Sequence, residues 1–362
     1  MIVNHKLVLD TFCEVYDLLK PYADAEFWNF KEHVDAGQLV PGAIYLIGRD
    51  QFAKTVGQIK QLIETNTIIP FLCNPAEGSW TMIANCIQLD IVDLIMQGKI
   101  LLIAGGYMPT EYNSLYYENF LPKILDYDKN LAAIAQYQET TITSRPYKFL
   151  FLNGRGRHHR KQLLNRLSNL LDQSLWTNLD HFSGQIHLLP IEYEYPEFVN
   201  TTGNIPTEGF IKKYIMPYVD WPEIYIKAEP YIDTYFSLVT ETIFEYPYTF
   251  RTEKIWKPIA IGHPWIAVSN YGYYRDMHNL GFQTFGHVID ESFDSIENDQ
   301  DRLERIAQVV EDLCQQDLAS FLKECYNVCK YNQQHLAEMR IKVRQEFPIR
   351  FEQYINDYLP IR

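Results

Sequence analysis

Short apolar runs alternate with helix-period segments along most of this chain. Runs at 43–47, 68–73 and 99–104 have the length and content of buried strands, and helical spacing follows at 51–65, 80–96 and 117–138. Pro122 lies near the start of the third helical segment. A polar stretch ending in proline, TTITSRP at 140–146, reads as a linker. A second set of strands is expected at 149–152, 186–190, 236–240 and 265–269. Within it, 158–171 carries Leu163, Leu164, Leu167, Leu170 and Leu171 at helical spacing. The Tyr- and Pro-rich segment 190–230 supports no assignment. After an acidic stretch, IDESFDSIENDQD, an amphipathic region buries a face marked by Leu303, Ile306, Val310, Leu313, Leu318, Phe321, Leu322 and Cys325. Strands alternating with helices predict an α/β chain with parallel sheets. The expected domains are 1–143, 144–335 and a C-terminal helix at 336–362 that crosses back to the first. Ligands of such sheets bind outside the carboxyl ends of the strands.

Composition narrows the class. A chain of 362 residues suits two domains, and an apolar fraction of 47% is that of a globular protein. No run of 18 apolar residues occurs, so no membrane span is expected. The first twenty residues mix charges into their apolar positions and lack a small-residue cleavage site, unlike a secretory signal. Cys13, Cys73, Cys86, Cys314, Cys325 and Cys329 show no CxxC spacing. They read as reduced thiols of a cytoplasmic protein, with Cys325 and Cys329 in a core stripe. A net charge of -14 argues against broad nucleic-acid binding, although not against a local basic groove.

Against that acidic total, residues 140–171 hold seven Lys or Arg, two adjacent His and no acid. The segment reads as a strand, a flexible turn (Asn153, Gly154, Arg155, Gly156, Arg157) and a helix N-terminus, which together can cradle phosphate. The plainer alternative is a solvated basic turn. His158 and His159 point about 100° apart on a helix and so cannot share one metal. One of them could meet a phosphate. A second segment, 236–270, ends its strand in Glu241 and opens a helix at Arg251-Thr252-Glu253-Lys254. Thr252 suits the N-cap, while Lys254 and Arg251 add charge to the positive end of the helix dipole. Glu253 could accept from the vicinal hydroxyls of a ribose, or could simply complement the dipole. His263, before Pro264, is expected to be structural.

The sequence FSLVTETIFEYPYTFRTEKIWKPIAIGHPWIAVSN, residues 236–270, resembles the nucleotide-sugar-binding segment of GT-B glycosyltransferases, most closely the fucosyltransferase-like group. The likeness covers about 35 residues well, and the basic segment at 147–167 loosely. Uncharacterised phage and bacterial proteins presumed to be glycosyltransferases carry similar segments. The resemblance implies two Rossmann-like domains facing each other across a cleft, with the donor on the C-terminal domain and the acceptor on the N-terminal one. It implies a donor site drawn from Asn153, Arg155, Arg157, Arg160, Glu241, Arg251, Thr252, Glu253 and Lys254. Glu253 would bind the ribose, Lys254 a phosphate, one of the arginines at 155, 157 or 160 the diphosphate, and Glu241 would lie near the nucleotide or sugar. Pro258 and the aromatic stretch 245–250 depart from the family pattern. No Asp-x-Asp stands after a strand; Asp126-Tyr127-Asp128 lies in an expected helical region. Metal-independent, inverting transfer from a nucleotide-diphosphate sugar to a hydroxyl is therefore expected, with no cofactor and no metal. The general base would be Glu77, in the loop after the second strand, or else Glu111. Two rivals are a phage-type transferase acting on modified DNA and a catalytically silent nucleotide-binding or assembly protein.

Overall fold

The computed structural model describes residues 5–140, 144–154, 156–180, 185–187, 189–190, 193 and 224–358. Its strands are β1 (Leu7–Asp10), β2 (Ala25–Phe27), β3 (Ala43–Gly48), β4 (Ile68–Asn74), β5 (Leu101–Ala104), β6 (Ser114–Tyr116), β7 (Tyr147–Phe151), β8 (Leu175–Trp176), β9 (Asn178–Asp180), β10 (Gln185–His187), β11 (Thr234–Thr240) and β12 (Trp265–Val268). The first helices are α1 (Tyr16–Leu19), α2 (Phe30–Asp35), α3 (Arg49–Glu64), α4 (Ser79–Gln88), α5 (Val92–Met96), α6 (Asp128–Glu139) and α7 (His158–Arg166). They are followed by α8 (Ala228–Ile232), α9 (Glu253–Ile261), α10 (Tyr273–Asn279), α11 (Asp299–Cys314) and α12 (Leu318–Tyr358). The chain divides into two compact units, 1–122 with 340–362, and 123–339.

The first unit is a six-stranded parallel sheet in the order β2-β1-β3-β4-β5-β6. Alternation along each strand feeds two cores. Leu7, Leu9, Ile44, Leu46, Phe71 and Ile103 face one side, where Phe347, Phe351, Tyr354 and Ile355 of α12 cover them. Val8, Tyr45, Ile47, Leu72 and Leu102 face the other, against Phe30, Phe52, Ile59 and Met82 of α2, α3 and α4. Burial on both faces is why these strands read as continuous apolar runs.

Several expected elements differ. β1, which lies next to β3 inside the sheet, sits in the N-terminal stretch that the pattern left unassigned. The helix expected over 80–96 is two, because Asp90 adopts a left-handed φ of 53° between α4 and α5. The helix expected over 117–138 begins only at Asp128. Pro122 offers no N–H and disfavours helix at the residue before it, and buried Phe120, Leu121 and Ile124 anchor an irregular segment instead. α6 belongs to the second unit, so the division falls at 122/123 rather than at 143. The expected linker lies partly outside the described residues, and Arg145 within it donates to the carbonyls of Tyr231 and Thr234.

The second unit carries a four-stranded parallel sheet, β12-β11-β7-β8, and an antiparallel pair, β9 and β10. The strand expected at 186–190 is part of that pair rather than of the parallel sheet. Asn298 caps α11 by accepting from the Asp301 N–H at 3.0 Å. Asp317 caps α12, accepting from the Ala319 N–H at 3.1 Å and the Ser320 hydroxyl at 2.6 Å. No helix among the described residues is long and apolar enough to cross a membrane.

Candidate functional site

The order of the second sheet defines where a ligand would sit. From β7 the chain moves outward to β8 on one side, and later builds β11 and β12 on the other. Adjacent parallel strands whose connections run to opposite sides leave a crevice outside their carboxyl ends. Both segments singled out from the sequence meet there, since α7 follows β7 and α9 follows β11.

After β7, Asn153 is 1% exposed. Its backbone N–H donates to Thr177 Oγ1 at 2.8 Å, and its Oδ1 accepts from Thr240 Oγ1 at 2.7 Å. Its Nδ2 has no hydrogen-bond partner. A buried amide with an unused donor is uncommon, because the lost hydrogen bond to water goes uncompensated. Arg160, in the first turn of α7, is buried and its Nη2 donates to the carbonyls of Thr240 (2.9 Å) and Glu241 (3.3 Å). Burial, then Arg157, lowers its pKa to about 10. His159 stacks on Phe244 with centroids 5.0 Å apart, and its Nε2 donates to the Glu241 carbonyl at 3.2 Å. Burial and the Arg160 charge bring its pKa to about 3, so the imidazole is neutral. His158 and Arg157 are exposed, and Arg155 lies outside the described residues.

The basic island is thus largely woven into the unit. Arg145 and Arg160 serve backbone carbonyls, and Lys148 Nζ donates to the Cys314 carbonyl at 3.0 Å. Arg166 pairs with Glu304 at 2.9 Å and with Glu311. What remains at the crevice is an α7 N-terminus with no acid in its first turn.

Across the crevice, Thr252 caps α9, its Oγ1 accepting from the Lys254 N–H at 3.3 Å. Glu241 holds that cap. It is wholly buried, and its carboxylate accepts from the Thr252 N–H (3.1 Å), the Thr252 hydroxyl (2.7 Å) and the Tyr273 hydroxyl (3.2 Å). Burial raises its pKa, with Lys254 and Thr252 opposing. Glu241 also accepts from the Thr242 N–H at 3.3 Å, and through Thr252 its carboxylate orients the start of α9. Arg251 is also buried, at 1% exposure. Glu253 accepts from Lys254 Nζ at 2.7 Å. Burial pushes its carboxyl up, but Lys254 and Lys257 outweigh this and hold it below the ordinary value. Lys254 Nζ also reaches Thr252 Oγ1 at 3.1 Å. Lys254 and Lys257 border a small hollow of about 60 Å³ that runs over β7 and β11 to Leu152 and Thr240. Pro258 lines the same hollow inside a continuous α9.

His263 is structural, as expected: it accepts from the Ser237 hydroxyl at Nδ1 (2.9 Å) and donates from Nε2 to the Thr234 carbonyl (2.7 Å). Burial, then Arg145, pushes its pKa well down. Glu77 and Glu111 belong to the first unit. Glu77 is half-buried in the loop leaving β4, and Glu111 is exposed in a 3₁₀ turn between β5 and β6.

The sequence reading missed Thr177, Thr240, Lys257 and Tyr273. Thr240 and Thr177 become legible only once β7, β8 and β11 are known to be neighbours. Lys257 stands one turn beyond Lys254 and could have been found from helical spacing alone. No protein-family model, no curated protein and no solved structure matches the chain.

Proposed function

We propose that the second unit binds the diphosphate of a nucleotide sugar, and that the protein is a metal-independent glycosyltransferase of GT-B type delivering the sugar to a hydroxyl acceptor. One observation carries the reading. α7 and α9 start just past the carboxyl ends of the adjacent strands β7 and β11, whose connections run to opposite sides, with Lys254 and Lys257 at the start of α9 and the buried Asn153 amide donor just after β7. Free N–H groups and Lys254 would neutralise the leaving diphosphate as charge develops on it. Lys254 would exchange its contacts with Thr252 and Glu253 for a phosphate oxygen. Glu253, so released, would accept from the ribose hydroxyls. Glu77 remains the proposed general base, with Glu111 as its alternate.

Calorimetry with UDP, GDP, ADP and CDP tests the reading. One of them binds, and Lys254→Ala weakens it about 10- to 100-fold, the range expected for one charge-assisted contact. If none binds, or if Lys254→Ala leaves affinity untouched, the reading is wrong.

A further inference from the structure

The turn after β1 brings together side chains that lie far apart in the sequence. Phe12 N–H donates to Asp10 Oδ1 at 3.0 Å and Cys13 N–H to the Asp10 carbonyl at 3.0 Å, folding the chain back over the sheet. Cys13 and Glu14 then meet Cys73 near the end of β4, which is fixed in register between Gly48 and Ile103. The two sulfurs and a Glu14 oxygen all lie within 4.8 Å of one another. The Cys73 sulfur is 3.9 Å from Glu14 Oε2. This is the one cluster of its kind among the described residues.

We infer that Cys13, Glu14 and Cys73 form a binding site for a thiophilic divalent cation such as Zn²⁺. Two thiolates and a carboxylate match the charge and softness of that ion. Zn–S bonds of about 2.3 Å and Zn–O bonds of about 2.0 Å place tetrahedral ligand atoms roughly 3.5–3.8 Å apart. From separations within 4.8 Å, the ligand atoms need draw together by no more than about 1.3 Å to reach that spacing. Both cysteines are buried, at 4% and 0% exposure, while Glu14 is half-buried and gives the ion a way in. Each thiol releases its proton as it ligates, so binding is proton-coupled. Three protein ligands leave a fourth position for water or another small ligand. This inference is independent of the donor-binding proposal, because its residues all belong to the first unit.

The experiment uses the full chain, reduced and stripped of metal, titrated with ZnCl₂ and separately with CoCl₂. Wild type takes up one Zn²⁺ per chain, and Co²⁺ gives the charge-transfer absorption of thiolate ligation. The double variant Cys13→Ser/Cys73→Ser loses both signals. Glu14→Gln, which keeps size and leaves the core thiols in place, weakens zinc binding at least about 10-fold while melting like wild type without metal. Cys86→Ser and Cys314→Ser bind as wild type does. Absence of zinc uptake by wild type, full uptake by the double variant, or a Cys13–Cys73 disulfide in place of metal each overturns the site.

Discussion

At the scale of single residues, two buried acids hold the local structure around them. Glu241 shows how: it reads in the sequence as a strand-end carboxylate near a ligand, yet it is turned inward to hold Thr252. The pattern could not reveal that, because its partners Thr252 and Tyr273 are 11 and 32 residues away. Glu291 is a second case, lying within the acidic stretch IDESFDSIENDQD. Its carboxyl accepts from the Thr284 hydroxyl and the Phe285 N–H, both at 2.7 Å. Burial raises its pKa from 4.5 to about 7. The folded chain therefore keeps a proton that the unfolded chain loses above pH 4.5. Glu291's contribution to stability is full below pH 4.5 and is lost as the pH rises to about 7. The loss is on the order of 3 kcal/mol, from the size of the shift. Urea unfolding at pH 4.5 and 7.5 measures it: wild type loses stability across that interval relative to Glu291→Gln, which carries no titrating group there. Equal pH dependence in the two proteins would show that Glu291 does not hold its proton.

At the scale of elements, the 3.6-residue period located helices whose burial follows one face, such as α3 and α7, and continuous apolar runs located the strands β3, β4 and β11, which are buried on both faces. They failed where a run is too short to stand out or where the chain breaks for local reasons. β1 is only four residues long, LVLD, and its apolar run stops after three at Asp10, so little marks it out from the flanking sequence. α9 was found with its cap, because Thr252, Glu253 and Lys254 are local signals. Its other end is equally local: Gly262 has φ +83°, and Gln333 reaches in to donate to the Ala260 carbonyl at 2.9 Å. A Cβ at Gly262 would sit 2.7 Å from the Gln333 side chain. Gly262→Ala must bear left-handed backbone strain and displace that capping amide, so it destabilises the protein by about 2–3 kcal/mol. A urea midpoint unchanged from wild type would mean that the helix end relaxes freely.

At the scale of the whole molecule, the α/β class was legible in the alternation of elements, but the route of the chain was legible only in outline. The C-terminal helix was expected to return to the first domain, and residues 340–362 do belong to the first unit. Its role there is large. Phe347, Phe351, Tyr354 and Ile355 complete one face of the six-stranded sheet, with Phe351 and Phe71 ring centroids 5.4 Å apart. Burying a large apolar side chain is worth roughly 1.5–3 kcal/mol, so these four supply about 6–12 kcal/mol. Whole domains are stable by only about 5–15 kcal/mol. A chain ending at Met339 should therefore lose the cooperative fold of residues 5–122 while residues 123–339 keep theirs. Limited proteolysis followed by mass spectrometry distinguishes the outcomes. The truncated chain yields a protected fragment from the second unit alone, and that fragment retains whatever nucleoside diphosphate the full chain binds. Protection of both units in the truncated chain would show that the first sheet is stable with one face uncovered, and that α12 lies on it without holding it together.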